Sequence, residues 1–189
     1  MKNYKVVDEK NTYIDDTVTI EEGVIIYPNV HIYGNSIIRK NTTILPGSII
    51  ENSNIGENNT IGPYAHIVNS KIGNNDIIGN FVEVKNSEMN NNIKAKHLSY
   101  IGNAHIKDNC NIGAGVIFAN FNGKEKNNIY IDENVFIGSN SVLVAPLEIK
   151  NNSFVAASST ITDSVPEYSL AIARNRQTTK DGYLKDKKC

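Results

Sequence analysis

An aliphatic residue returns every six positions through most of this chain. The series runs Ile14, Ile20, Ile26, Ile32, Ile38, Ile44, Ile50, Ile55, Ile61, Ile67, Ile72, Ile78, Val84, Met89, Ala95, Ile101, Ile106, Ile112 and Phe118. It resumes at Ile131, Ile137, Leu143, Ile149, Val155 and Ile161. A period of six fits neither an amphipathic helix nor a hairpin meander. It fits hexapeptide repeats, each a short strand and a corner, with three making one triangular coil. Such coils stack as parallel strands about 4.8 Å apart, and each buries its aliphatics only against its neighbours. The expected fold class is all-β, a parallel β-helix. Its hand does not follow from the period. Small residues four places after an aliphatic, such as Val18, Ala65, Cys110, Val116, Val135 and Ser141, suit a second inward position. Abundant Asn and Gly suit corners that visit positive φ.

Four repeats are one residue short, from Ile50 to Ile55, Ile67 to Ile72, Val84 to Met89 and Ile101 to Ile106. They recur every 17 residues, so the short corner falls on one edge of successive coils. Residues 17 apart should therefore stack here. One such column is Pro63, Asn80, His97, Ala114, and another is Val68, Lys85, Gly102. The period fails between Phe118 and Ile131, in a polar stretch that cannot be core. The expected organisation is an entry segment over 1–13, a β-helix over 14–166 with a projecting loop at 119–130, and a C-terminal cap and tail over 167–189. Pro166 is expected to stop the coil, with the SLAIA segment over its open end.

A net charge of −1 gives no general attraction to nucleic acid or to an anionic membrane. The lysines from Lys180 to Lys188 read as a solvated tail. No apolar run approaches the ~20 residues of a membrane span. The first residues lack the apolar core of a signal peptide, so a cytoplasmic protein is expected. Cys110 and Cys189 make neither a disulfide framework nor a zinc pattern. Cys110 falls at a small inward position, and Cys189 is the last residue.

His97 is the histidine whose setting suggests catalysis. An imidazole titrating near neutrality is a natural general base, and Lys85 belongs to the same coil. Ala114, stacked on His97, sits between Gly113 and Gly115, where a bare backbone can offer N–H groups to a carbonyl. Repeat geometry by itself leans towards a plain surface histidine at a polar corner. His31, His66 and His105 occupy other places in their hexapeptides and do not stack into a three-histidine zinc site, so no metal is expected. Lys124 and Lys126 on the loop, and Arg174 and Arg176 in the tail, suit either phosphates or solvent.

Several pieces together are more specific: GNFVEVK (79–85), KAKHLSYIG (94–102), NIGAG (111–115), NFNGK (120–124), VFIGSNS (135–141), LVAP (143–146) and IAR (172–174) with Gln177. In these the chain resembles the acetyltransferase domain of the bacterial bifunctional N-acetylglucosamine-1-phosphate uridyltransferase and glucosamine-1-phosphate acetyltransferase family. The resemblance implies a left-handed β-helix and a homotrimer with shared active sites. It also implies acetyl-CoA as co-substrate, an amino sugar phosphate as acceptor, and a place in UDP-N-acetylglucosamine biosynthesis. By it His97 would be the base, and Lys85, Tyr100, Asn111 and Lys126 would hold the sugar phosphate. Ala114 would offer its N–H to the thioester oxygen, while Ser139, Ala157 and Arg174 would contact coenzyme A.

The chain departs from the family pattern in three places. The nucleotidyltransferase part is not in this sequence, and with it goes the case for uridyl transfer; whether a separate uridyltransferase is a partner is left open by the sequence. The Asn-Tyr-Asp-Gly loop of the family reads Asn120-Phe121-Asn122-Gly123. An Arg-Pro-Gly corner before GNFVE is one residue shorter here, with Val68 where the arginine would fall. That loss implies a weaker grip on glucosamine-1-phosphate, or an acceptor with its anionic group placed differently. The competing readings are an acyltransferase with another acceptor and a non-catalytic β-helical protein that binds sugar phosphates.

Overall fold

The structure is a computed structural model, and it describes residues 3–185. Cys189 and the last lysines of the tail lie outside the described residues. Strands of two to four residues form three parallel sheets, of ten, nine and eight strands. The chain visits the sheets in rotation, so each coil contributes one strand to each. The result is an all-β parallel solenoid, the left-handed β-helix of hexapeptide repeats.

Two inward residues per hexapeptide fill the triangular interior. The periodic aliphatics from Ile26 to Ile161 form one set and are buried throughout. The residues two places before each of these aliphatics form the other, and many of these are polar: Ser36, Thr42, Ser48, Ser53, Asn59, Ser70, Asp76 and Ser87. A buried polar group costs free energy unless it is bonded. Here all but Ser48, whose hydroxyl has no partner, bond the backbone one coil away. The N–H of Ser53, Ser70, Ser87 and Ala104 donates to the hydroxyl 17 residues earlier, at 3.0–3.1 Å. A parallel ladder joins Thr42, Asn59, Asp76 and the N–H of Ile93. Polar side chains thereby act as rungs between coils.

The short corner lies between the second and third sheets. Asn52, Asn69, Asn86 and Asn103 turn it with φ of 46–51°, a left-handed conformation that asparagine tolerates better than most residues. The expected columns are present: Val68 pairs with Lys85, Lys85 with Gly102, and Asn80 with His97. The polar insert leaves from this same edge. Asn120 is buried at its root and donates to Asn103 Oδ1 at 2.9 Å. The exposed tip is tightened by Asn122 Oδ1, which accepts from the N–H groups of Lys124 and Glu125.

The strands extend past both ends of the 14–166 span. Lys5–Val6 pairs with Ile25–Ile26, and Leu170–Ala171 pairs with Phe154–Val155 beyond Pro166. Ala171 therefore continues the first sheet, while Leu170 and Ile172 remain exposed. No described helix is long and apolar enough to cross a membrane.

Candidate active site

His97 ends a first-sheet strand, where the chain turns into the second sheet. Asn80 lies one coil below, and its Oδ1 is 3.0 Å from His97 Nδ1. An amide oxygen can only accept, so Nδ1 carries the proton in this pair. Nε2 is then left with its lone pair, the form a general base needs. The other histidines are engaged elsewhere. His31 contacts the Tyr33 hydroxyl and stacks on Tyr13, His66 meets Glu51 at 3.2 Å, and His105 stacks on Tyr130 near Glu88. Sequence reasoning placed Asn80 in the right column without giving it a role. A polar residue 17 positions before a candidate base was the available signal.

Above His97 the edge between the first and second sheets carries only small side chains. Ala114 follows, then Ser139, Ala157 and Ala173, as the strand registers and the cross-coil bonds Gly115 N to His97 O, Asn140 N to Ala114 O and Ser158 N to Ser139 O require. Four steps of about 4.8 Å make a track of about 19 Å, which ends beside Arg174. The N–H of Ala114 has no hydrogen-bond partner among the described residues, so it is free to meet an oxyanion. The tight spacing depends on Gly113, since a Cβ there would stand 2.6 Å from the Ser139 nitrogen.

Residues expected to hold an acceptor do not gather in one place on this chain. Lys85 and Tyr100 share the outer face of the second sheet. The Tyr100 phenol lies across Gly102, where an added Cβ would sit 2.4 Å from its hydroxyl. Lys126 is exposed on the loop, at the far edge of that sheet from His97. Asn111 lies on the first sheet, paired in register with Lys94. Val68 stands beneath Lys85, with Glu51 as its other neighbour. Cys110 is buried, which pushes its thiol up to about 11 and leaves it unreactive near neutrality. Among the described residues no group of three His, Cys, Asp or Glu could hold a metal.

A family model described as bacterial transferase hexapeptide (six repeats) matches residues 17–52. The chain is 44% identical to the bifunctional protein GlmU of Clostridium tetani, over 96% of this chain and 44% of that protein. It is a hexapeptide-repeat relative of GlmU. Against GlmU of Clostridioides difficile the identity is also 44%, over 96% of the chain and 43% of the relative. The chain thus spans less than half the length of these GlmU proteins. Among solved structures, UDP-N-acetylglucosamine O-acyltransferase (LpxA) of Moraxella catarrhalis superposes with a TM-score of 0.62 at 21% identity, covering 86% of this chain and 70% of that one. The acyltransferase of Francisella novicida gives 0.60 at 18%, covering 89% and 67%. At such identities these two speak for the fold alone. The GlmU likeness agrees with the resemblance drawn from the sequence pieces.

Proposed function

We propose that this protein is an acetyl-CoA-dependent N-acetyltransferase acting on an amino sugar, glucosamine-1-phosphate or a close relative. The observation that carries the reading is the bare track above His97. It suits an elongated thioester lying along the edge, with Arg174 at its far end for a phosphate and the reacting carbonyl at the Ala114 N–H. The acceptor amine attacks that carbonyl while His97 Nε2 takes its proton. The oxyanion accepts from Ala114 N–H. As the C–S bond breaks, the imidazolium returns its proton to the sulfur of coenzyme A. General-base help of this kind contributes roughly 10²- to 10⁴-fold. Alignment of amine and thioester supplies several kcal/mol more.

A cytoplasmic homotrimer belongs to this reading. Lys126 stands on the far edge of the second sheet from His97, so a neighbouring copy is the simplest way to bring such a loop to a base. A separate uridyltransferase would then use the product in forming a nucleotide sugar. The test is release of free coenzyme A from acetyl-CoA across a panel of amino sugars. Release that depends on the amino sugar is expected. Silence across the panel, with sugar phosphate still bound, would favour a binding protein instead.

A further inference from the structure

We infer that Asn122, at the tip of the projecting loop, is a site of spontaneous modification that closes to a succinimide and opens to aspartate or isoaspartate. This stands whether or not the protein transfers acetyl groups. Asn122-Gly123 is the one Asn-Gly step in the chain, and residues 121–126 are all exposed. Gly123 has a φ of 91°, and nothing lies within 4 Å of the place where its Cβ would stand. Ring closure swings the Gly123 peptide towards Asn122 Cγ, and a glycine in open space resists that least. The Gly123 N–H has no hydrogen-bond partner among the described residues. Asn122 Oδ1 accepts from the N–H groups of Lys124 and Glu125, both at 2.9 Å. Those donors polarise the carbonyl and stabilise the oxyanion that forms on attack. Asn122 Nδ2, which must leave, has no partner among the described residues. The step needs only water. As the Gly123 nitrogen bonds Cγ, its proton is lost and the bond from Cγ to Nδ2 breaks. Nδ2 departs with that proton as ammonia. Water then opens the ring. Opening at Cγ leaves aspartate, and opening at the main-chain carbonyl leaves isoaspartate, with one more carbon in the backbone. Either product sets a carboxylate beside Lys124 and Lys126.

The coil holds its own asparagines away from this chemistry. Asn52, Asn69 and Asn86 precede serine, and Asn103 precedes alanine, residues small enough to permit ring closure. Yet the nitrogens that would attack belong to Ser53, Ser70, Ser87 and Ala104, which are buried and donate to the hydroxyl one coil below. Each would have to break that bond and leave the interior first. The serines after Asn35, Asn140 and Asn152 are buried as well. Asn120, at the root of the same loop, is buried and tied to Asn103. The loop tip lies outside the ladder that protects the corners.

The experiment incubates the full chain in mildly alkaline buffer, folded and in urea, and follows each asparagine by peptide mass spectrometry with an isoaspartate assay. In the folded protein Asn122 should convert at least about tenfold ahead of Asn52, Asn69 and Asn86, since each of those must first give up a buried hydrogen bond. In urea that lead should shrink, because the ladder is gone. Gly123→Ala should slow conversion of Asn122 by at least about tenfold, because a Cβ hinders the swing of the peptide. The assignment falls if Asn122 keeps its amide in the folded protein over the time that converts it in urea, or if a corner asparagine reacts first. It falls also if Gly123→Ala converts as fast as wild type. A lead over the corners that is the same in urea would mean that local sequence alone sets it, which removes the structural argument.

Discussion

The third sheet and the edge between the first and second sheets are built from the same hexapeptides, yet they treat charge in opposite ways. On and beside the third sheet nearly every ionisable side chain meets a partner from an adjoining coil or strand end. Arg39 pairs with Glu21, Lys71 with Glu88, Lys107 with Asp132 and Lys150 with Glu148. His105 reaches Glu88 and stacks on Tyr130. Around His97 none of Lys85, Lys94 or Lys96 has an ionic partner among the described residues, and the column above carries Ala114, Ser139 and Ala157. A solenoid spaces its coils evenly, so pairing charges is easy wherever the sequence alternates sign along a column. Leaving them unpaired beside a bare track keeps donors and charge available to something that is not the protein. The paired face is finished surface; the other edge is left open.

The largest expected effect removes the base. His97→Ala should lower turnover by at least about a hundredfold, with the melting temperature nearly unchanged because the side chain is exposed at a corner. Asn80→Ala should act in the same direction and more weakly, since it removes the acceptor that fixes the Nδ1 proton. Steady-state rates at pH 7 check both. Near-normal turnover in His97→Ala would erase the contrast between the two regions.

The next effect tests whether the paired side is as complete as it looks. Asp76 lies buried at the corner leading from the third sheet to the first, and its Oδ2 has no partner. Burial, reinforced by the charge of Asp108, pushes its carboxyl up to about 7. The folded state therefore holds a proton that the unfolded chain releases near pH 4. Stability from this group is whole below about pH 4 and is lost as pH rises towards about 7. Asn59, one coil earlier in the ladder, donates its amide to the Gly73 carbonyl. Asp76→Asn supplies the same donor without a charge, so it should stabilise the protein at pH 8 by up to about 4 kcal/mol and by little at pH 4. Urea unfolding at the two pH values decides it, and an equal effect at both would refute the buried-carboxyl account.

Much of this was legible because 17-residue spacing converts sequence into stacking. Val68 under Lys85 and Asn80 under His97 follow from counting alone. Counting does not say which columns share a face, and that hid the separation of Lys85 from Asn111 and the pairing of Asn111 with Lys94. Asp76 was also hidden. A carboxylate in an Asn-rich stretch looks like a corner residue, whereas the inward ladder admits any short side chain able to accept from the next N–H. Lys5–Val6 escaped because Val6 is out of phase with Ile14. Leu170–Ala171 escaped because a proline precedes it, and a proline ends a repeat only if no later strand finds the sheet again.

The smallest expected effect belongs to the paired face itself. Lys71 Nζ lies 2.5 Å from Glu88 Oε1, and that ammonium is the main cause that holds the Glu88 carboxyl below its ordinary range, with His105 adding a little. Both side chains are well exposed, so solvent and salt screen the pair, and such pairs are worth about 0–1 kcal/mol. The lowered carboxyl contributes only above its ordinary range and loses that contribution as pH falls through it. Lys71→Ala and Glu88→Ala should each lower stability slightly, less in 0.5 M salt than in dilute buffer, and leave acetyl transfer unchanged. The double variant should cost less than the sum of the singles, because each single leaves one charge without its partner. The informative result is the activity. If neutralising this remote pair altered the Michaelis constant for either substrate, the third sheet would be part of the working surface after all. The division between a finished face and an open edge would then have to be redrawn around the whole solenoid.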